Sequence, residues 1–177
     1  MTDTVTQPQL DQALIDEAAK KSGLLWADGQ ALWHAWVDGA VVVVGGGPGE
    51  QPLPGPGLTD GGTATVTVRS KDKGGRLVVF PVRVTELRPD GAAWTAAVEE
   101  LKGKRLNAPD AETMTGRWAR ECRVLRLEPA GAPLERPGAM PDASGAAAPA
   151  PTNAITRRPI PAGLPKLVLR RRKKNNV

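Results

Sequence analysis

The chain has 177 residues, 40% of them hydrophobic, which suits one ordinary domain with residues to spare. Its formal net charge of +5 is unevenly divided: residues 1–130 carry 15 basic and 17 acidic side chains, and residues 131–177 carry 9 and 2. Only the C-terminal part is therefore basic enough to attract nucleic acid or acidic lipid. The single cysteine excludes an internal disulfide, and one cysteine with one histidine excludes a structural zinc site within one chain.

The distribution of residue types indicates three segments. Residues 1–8 are polar and lack the apolar core of a signal peptide, so we expect a flexible leader. Residues 9–129 carry most of the bulky apolar side chains and are expected to form one domain. Residues 130–177 are rich in Pro and Ala and are expected to be a disordered tail. No apolar run is long enough to span a bilayer, so we expect a cytoplasmic protein.

The first half of the domain predicts a helix followed by three closely connected strands. Asp-Gly pairs at 28–29 and 38–39 separate the strands and are typical of tight hairpin turns, because both positions tolerate positive φ. The unbroken run from Ala40 to Val44 predicts a strand buried on both faces. By apolar spacing, the predicted elements are a helix over 10–22 and strands over 24–27, 31–37 and 40–44.

The second half begins with a long loop, Gly45 to Gly62, that is too rich in Gly and Pro for regular structure. Pro81 lacks an N–H donor and is therefore expected at a sheet edge or bulge. Strands close in sequence favour an antiparallel sheet that is closed or nearly closed. The predicted fold is mainly β with α, with about six strands and two or three flanking helices. The remaining predicted elements are strands over 63–70, 77–87 and 122–128, and helices over 92–105 and 113–120.

This order of elements resembles the split β-barrel flavin-binding family of the pyridoxamine 5′-phosphate oxidase type. The stretch VTVRSKDKGGRLVVFPVRVTEL, a Trp-bearing helix and then CRVLRLEP are similar to the second half of that barrel. The resemblance spans roughly residues 10–129 as a pattern. It implies a homodimer that holds FMN, or a deazaflavin relative, in the cleft between subunits. It also implies a possible oxidoreductase in which the flavin carries the chemistry on a small molecule.

The resemblance further implies that basic and hydroxyl side chains at strand ends meet the flavin phosphate. Arg69, Ser70 and Lys71 follow the fourth predicted strand, and all three side chains can donate to phosphate oxygens. A solvated charged turn is the other interpretation of this segment. Arg105, near a predicted helix end, is a second candidate, although basic residues there also complement the helix dipole.

Three residues of the second predicted strand are candidates to flank the flavin ring. His34, the only histidine, could transfer a proton or stack on a ring, or could be a hydrogen-bonded strand histidine. Trp33 and Trp36, with Trp26 of the first predicted strand, could line a flat ligand or a subunit interface, or could fill a core that has only one Phe. No catalytic side chain is assigned, since Ser70 lacks a G-x-S-x-G context and Cys122 has no evident His partner.

The resemblance implies hydroxyl and basic side chains just after the third strand, where they would help to bind phosphate. The loop in this chain departs from that pattern. It contains no Lys or Arg, and its Glu50 would oppose an anion, although backbone N–H groups of Gly-rich loops can bind one. A mobile surface loop is the other possibility. We therefore keep a second hypothesis, a cofactor-free split-barrel interaction module with a basic tail. The tail tip predicts at most weak, salt-sensitive contact with nucleic acid, or simple solvation, through Arg170, Arg171, Arg172, Lys173 and Lys174.

Overall fold

The computed structural model describes residues 6–53, 55–72 and 74–141. Every predicted element is present within three residues of its predicted bounds, except that the strand predicted over 31–37 is divided in two at His34. In chain order the elements are α1 (Gln7–Lys21), β1 (Leu24–Ala27), β2 (Gln30–Trp33), β3 (Ala35–Val37), β4 (Ala40–Gly45), β5 (Thr63–Arg69), β6 (Arg76–Leu87), α2 (Ala92–Lys104), α3 (Met114–Glu121) and β7 (Arg123–Pro129).

All seven strands form one antiparallel sheet in the order β2-β1-β5-β6-β7-β4-β3. The two end strands, β2 and β3, follow each other in the chain with only His34 between them, so the sheet curls round until its ends meet. Leu32 of β2 pairs with Leu25 of β1, and Trp36 of β3 pairs with Val41 of β4. This confirms the predicted antiparallel split barrel, mainly β with flanking helices.

Both predicted Asp-Gly turns form tight hairpins. Asp28 and Gly29 have φ of 46° and 84°, and Asp38 and Gly39 have φ of 45° and 74°. Two successive positive φ values match the right-handed twist of the flanking strands. These turns direct β1 back along β2, and β3 back along β4, and so fix the two ends of the sheet.

Strand β4 separates two hydrophobic cores, as its apolar run predicts. Val41 and Val43 face the barrel interior, where they join Phe80 and the α1 residue Ile15. Val42 and Val44 face the other way, into a core that α2 and α3 cover with Trp94, Val98, Leu101, Met114 and Trp118. Because side chains alternate along a strand, a strand between two apolar layers needs apolar residues at every position.

Pro81 lies in β6, an interior strand, in regular register with Thr65 of β5, and not at the edge or bulge expected from sequence. Its missing N–H is tolerated because β7 ends opposite the next residue, where Val82 pairs with Pro129. The carbonyl of Pro81 accepts a hydrogen bond from the Ala130 N–H. Pro81 is therefore tolerated in an interior strand because the neighbouring strand ends beside it, so that no ladder hydrogen bond from its nitrogen is needed.

The segment after Pro129, assigned from sequence to the tail, returns to the barrel before the described residues end. The Leu134 N–H donates to the Val79 carbonyl at 2.7 Å, and the Val79 N–H donates to the Glu135 carbonyl at 2.9 Å. At the other terminus α1 begins at Gln7, inside the predicted leader. The remainder of the predicted leader and tail, including the basic tip over 170–174, lies outside the described residues.

Candidate functional site

The candidate site residues lie in three different places. One group lines a cavity between β1 and β5, a second lies in a smaller cavity beside α1, and a third packs against the loop that follows β4. The three groups are Arg69, Ser70 and Lys71; His34 and Trp36; and Trp33 and Arg105.

The first cavity, here called the β1–β5 cavity, has a volume of about 360 Å³. The cavity exists because β1 pairs antiparallel with β5, with Trp26 opposite Thr67. This pairing places the end of β5 beside the start of β1. The β5–β6 register shifts between Val68 and Arg69, and such a bulge re-aims the side chain that follows it. Its walls are Ser22, Gly23, Leu24, Trp26, Arg69, Ser70 and Lys71.

Arg69 is held in the wall of this cavity by an aromatic ring. Its guanidinium carbon lies 4.7 Å from the centre of the Trp26 ring, a cation–π arrangement. Its Nε is buried and has no hydrogen-bond partner among the residues that the structure describes. Buried donors in folded proteins are nearly always bonded, so we expect the acceptor for this Nε to come from outside the described residues.

The turn that carries Ser70 and Lys71 is closed by backbone hydrogen bonds. The Ser70 N–H donates to the Gly75 carbonyl at 2.7 Å, and the Gly74 N–H donates to the Ser70 carbonyl at 2.9 Å. The Lys71 side chain is exposed at the cavity. The cavity therefore combines a fixed guanidinium, a hydroxyl and an ammonium with the apolar faces of Trp26 and Leu24.

His34 lies at the junction of β2 and β3, in the wall of a second cavity of about 110 Å³, here called the His34 cavity. The residue is only 3% exposed, and its Nε2 lies 2.9 Å from the Ala19 carbonyl oxygen. Burial lowers the pKa of His34 below its usual range, so the neutral ring is favoured. Trp36 lines the same cavity, and Ser22 lies in the walls of both cavities.

The third group surrounds Glu50, whose side chain has no exposed surface. The carboxylate accepts hydrogen bonds from Arg105 Nε at 3.1 Å, Arg117 Nη2 at 2.9 Å and Trp118 Nε1 at 2.9 Å. Arg117 also donates to Asp110 at 2.6 Å, which lowers the pKa of Asp110 and raises the pKa of Arg117. Arg105 is thus bonded to the loop, and the structure does not bring it together with Arg69.

Gln51 ties the same loop to the barrel. Its side-chain oxygen accepts from the Trp33 N–H at 2.8 Å, and its Nε2 donates to the carbonyls of Trp33 and Val44 at 2.9 and 3.0 Å. Trp33 in turn lies against Trp118, with ring centres 6.4 Å apart. A side chain at Gly47 would collide with the Glu121 carbonyl, which explains a glycine there. This part of the loop is packed inward, unlike the surface loop expected from sequence.

Sequence reasoning named Trp26 among the indoles that could line a ligand but did not place it beside Arg69. It missed Ser22 as a cavity residue and Glu50 as a structural ion-pair partner. The signal for Trp26 was its position at a strand end, but the register that sets it opposite Thr67 links residues far apart in the chain.

Cys122 is partly buried, and burial raises the pKa of its thiol, which does not favour a reactive thiolate. Within the described ranges no cluster of His, Cys, Asp and Glu could hold a metal ion, and no helix could cross a membrane.

Comparison with known proteins found similarity in three-dimensional structure alone. No family model and no curated protein matches the chain. The heme storage protein HutZ from Vibrio cholerae is 10% identical, with a TM-score of 0.49 over 70% of this chain and 93% of its own. The FAD- and heme-binding protein from Mycobacterium smegmatis is 16% identical, with a TM-score of 0.41 over 94% of this chain and 95% of its own.

Proposed function

We propose that this protein binds a flavin, with the phosphate of FMN or a deazaflavin relative held in the β1–β5 cavity. The observation that carries the proposal is that Arg69, a residue of the cavity wall, has a buried Nε with no partner in the described part of the chain. A phosphate oxygen is the acceptor that this donor fits best, because guanidinium and phosphate form strong charge-assisted hydrogen bonds.

The charge of the cavity supports an anionic ligand. Arg69 and Lys71 contribute two positive charges, and none of the described residues that line the cavity is acidic. Ser70 adds a hydroxyl at the same strand end, and the Trp26 indole provides apolar surface for a ring system. The stacking of Arg69 on Trp26 fixes the guanidinium before a ligand arrives, which lowers the entropy cost of binding.

The size of the cavity supports a ligand site that is shared between two copies of this chain. Its volume of about 360 Å³ is near the lower end of the roughly 300–1,000 Å³ typical of ligand pockets. Leu24, half-exposed at 49%, lies at its edge. We therefore propose that the ligand extends beyond this chain and that a second copy supplies the other wall, giving a homodimer.

When bound, a flavin would supply hydride or electron transfer to a small molecule. The residues of this chain would hold the phosphate through Arg69, Ser70 and Lys71 and shield the ligand from water through Trp26 and Leu24. No acid or base of the β1–β5 cavity is assigned a proton-transfer role. The buried His34 lies in the neighbouring cavity, and Arg105 is bonded to Glu50.

A cofactor-free interaction module is the second candidate, and the Glu50 cluster favours it. In the loop after β4, the carboxylate of Glu50 binds Arg105 and Arg117, so this loop presents no anion site. In that case the exposed surfaces would bind a partner protein, and the unpaired Arg69 Nε would belong to that interface.

The presence of flavin separates the two candidates. We expect purified wild-type protein, incubated with FMN and washed, to retain a flavin absorbance spectrum, and Arg69→Met to retain little. Arg83→Met removes an exposed arginine from β6, outside the cavity, and should behave as the wild type. A wild-type protein that retains no FMN would overturn the FMN assignment, and failure to retain a deazaflavin in the same experiment would overturn the proposal and favour the module. The same spectrum would reveal a heme, the group named for both similar structures.

A further inference from the structure

His34, which lines the His34 cavity, carries an unused hydrogen-bond acceptor among the described residues. A carbonyl oxygen only accepts, so Nε2 of His34 carries the proton in the bond to Ala19. In the neutral ring Nδ1 is then left with a lone pair. This atom is buried, and no protein donor within the described segments reaches it. Buried acceptors are nearly always bonded, so we expect a donor from outside the described residues, and a water molecule or a ligand in the cavity that His34 lines could supply it.

Charged residues from two helices also line this cavity. Lys20 comes from α1, and Glu100 and Lys104 come from α2. Lys104 is near enough that its ammonium also disfavours protonation of His34. Lys20 has a weak contact with Asp16, at 3.9 Å between Nζ and Oδ2. Two ammonium groups and one carboxylate leave one net positive charge in the cavity wall, which suits a monoanion better than a phosphate dianion.

The volume of the cavity limits the size of the ligand. About 110 Å³ exceeds the roughly 30 Å³ that one water molecule occupies in the liquid. It is too small for a flavin ring but large enough for an organic molecule of a few heavy atoms. Trp36, Ser22, Ala19 and Ala35 also line it, and Ser22 is a residue of the β1–β5 cavity wall as well.

We propose that the His34 cavity binds a small organic acid that carries a hydrogen-bond donor beside its carboxylate, such as a 2-hydroxy acid. The hydroxyl donates to His34 Nδ1, and the carboxylate lies between the ammonium groups of Lys20 and Lys104. Because Ser22 belongs to both cavities, the bound acid lies next to the proposed phosphate site. The proposal does not depend on flavin binding.

The single histidine makes this site visible by NMR. In the ¹⁵N-labelled full chain, a long-range ¹H–¹⁵N correlation spectrum shows one imidazole, and its shifts report the tautomer and the hydrogen bonding of each nitrogen. We expect free protein to have the proton on Nε2. Glycolate should move the Nδ1 resonance to lower ¹⁵N shift, because a donor now engages its lone pair. Propionate, in which a methyl replaces the hydroxyl, should not.

Matched lysine variants test the carboxylate contact. Lys104→Met should weaken glycolate binding roughly tenfold, as expected for the loss of one charge-assisted hydrogen bond. Lys102→Met, on the same helix but outside the cavity wall, should bind glycolate as the wild type does. Backbone amide spectra of both variants establish that each is folded.

Three results would overturn the proposal. They are a proton on Nδ1 in the free protein, equal responses to glycolate and propionate, and no response to either acid, in which case water alone fills the cavity. The wild-type comparison stands even if Lys104→Met fails to fold. None of these measurements contains flavin, so a failed flavin proposal and a failed acid site give separate results.

Discussion

Two arginine sites in this protein have opposite surroundings. Around Glu50, the guanidinium groups of Arg105 and Arg117 bond to protein carboxylates and carbonyls. At the β1–β5 cavity, Arg69 rests on Trp26 with its Nε unbonded within the described residues. Charge that the fold itself neutralises maintains structure, whereas charge left without a partner at a cavity is available for a ligand. The two regions should therefore respond differently to substitution.

The largest effect is expected when the central carboxylate of the Glu50 cluster is removed. Glu50→Gln should lower the free energy of unfolding by roughly 3 kcal/mol or more, because it leaves two partly buried arginines without their shared partner. Urea denaturation followed by tryptophan fluorescence measures this. Glu86→Gln, which breaks the more exposed pair with Arg123, should cost less than about 1 kcal/mol. Equal losses in the two variants would contradict the structural role of Glu50.

A smaller loss of stability is expected for Gln51→Ala. This substitution removes three hydrogen bonds that tie the loop to Trp33 and Val44, which should cost about 2 kcal/mol. Gln12→Ala removes an exposed hydrogen bond to Asp16 on α1 and should change stability by less than about 0.5 kcal/mol. The same denaturation experiment measures both. If the loop contributed little to the fold, Gln51→Ala and Gln12→Ala would have the same free energy of unfolding.

The pH dependence of stability should show the buried His34. Its folded-state pKa is lowered by burial, so below the ordinary value of 6.5 the unfolded chain binds more protons than the folded one. Stability should therefore fall as the pH decreases through and below 6.5, until the folded-state pKa is reached. Unfolding measured at several pH values should show this slope in the wild type and a shallower slope in His34→Gln. Identical slopes would show that His34 is solvated as in the unfolded chain.

Arg69→Met should change stability only a little, despite its expected effect on binding. Among the described residues it removes only the cation–π contact with Trp26, worth about 0.5–1 kcal/mol. Arg126→Met is the matched control, because Arg126 donates hydrogen bonds to the carbonyls of Val37 and Asp38 and should cost more. If Arg69→Met proved the more destabilising, Arg69 would belong with the structural arginines of the Glu50 cluster.

Local sequence signals were enough to predict most of the fold. The Asp-Gly turns at 28–29 and 38–39 and the apolar run of β4 correctly predicted the two hairpins and a strand with both faces buried. The break at His34 was not predicted, because the residue pattern continues across it. The division arises where the strand leaves β1 and joins β4, which depends on the closure of the whole sheet.

The candidate site could be predicted only in part for a related reason. Arg69, Ser70 and Lys71 are contiguous, so the sequence alone placed them together. The contact of Arg69 with Trp26 and the bonds of Glu50 with Arg117 join residues tens of positions apart. Such pairs depend on strand register and helix placement, which the sequence pattern does not specify. Arg105 and Glu50 were each noted from sequence, but their pairing was not.

The affinity of FMN compared with that of riboflavin tests the central claim most directly. The two ligands share the ring and the ribityl chain and differ in the phosphate, the group assigned to Arg69 and Lys71. Titration calorimetry should show FMN binding the wild type at least about tenfold more tightly than riboflavin, as expected for charge-assisted hydrogen bonds. Arg69→Met should remove most of that difference. Equal affinities for FMN and riboflavin in the wild type would contradict a phosphate site in the β1–β5 cavity.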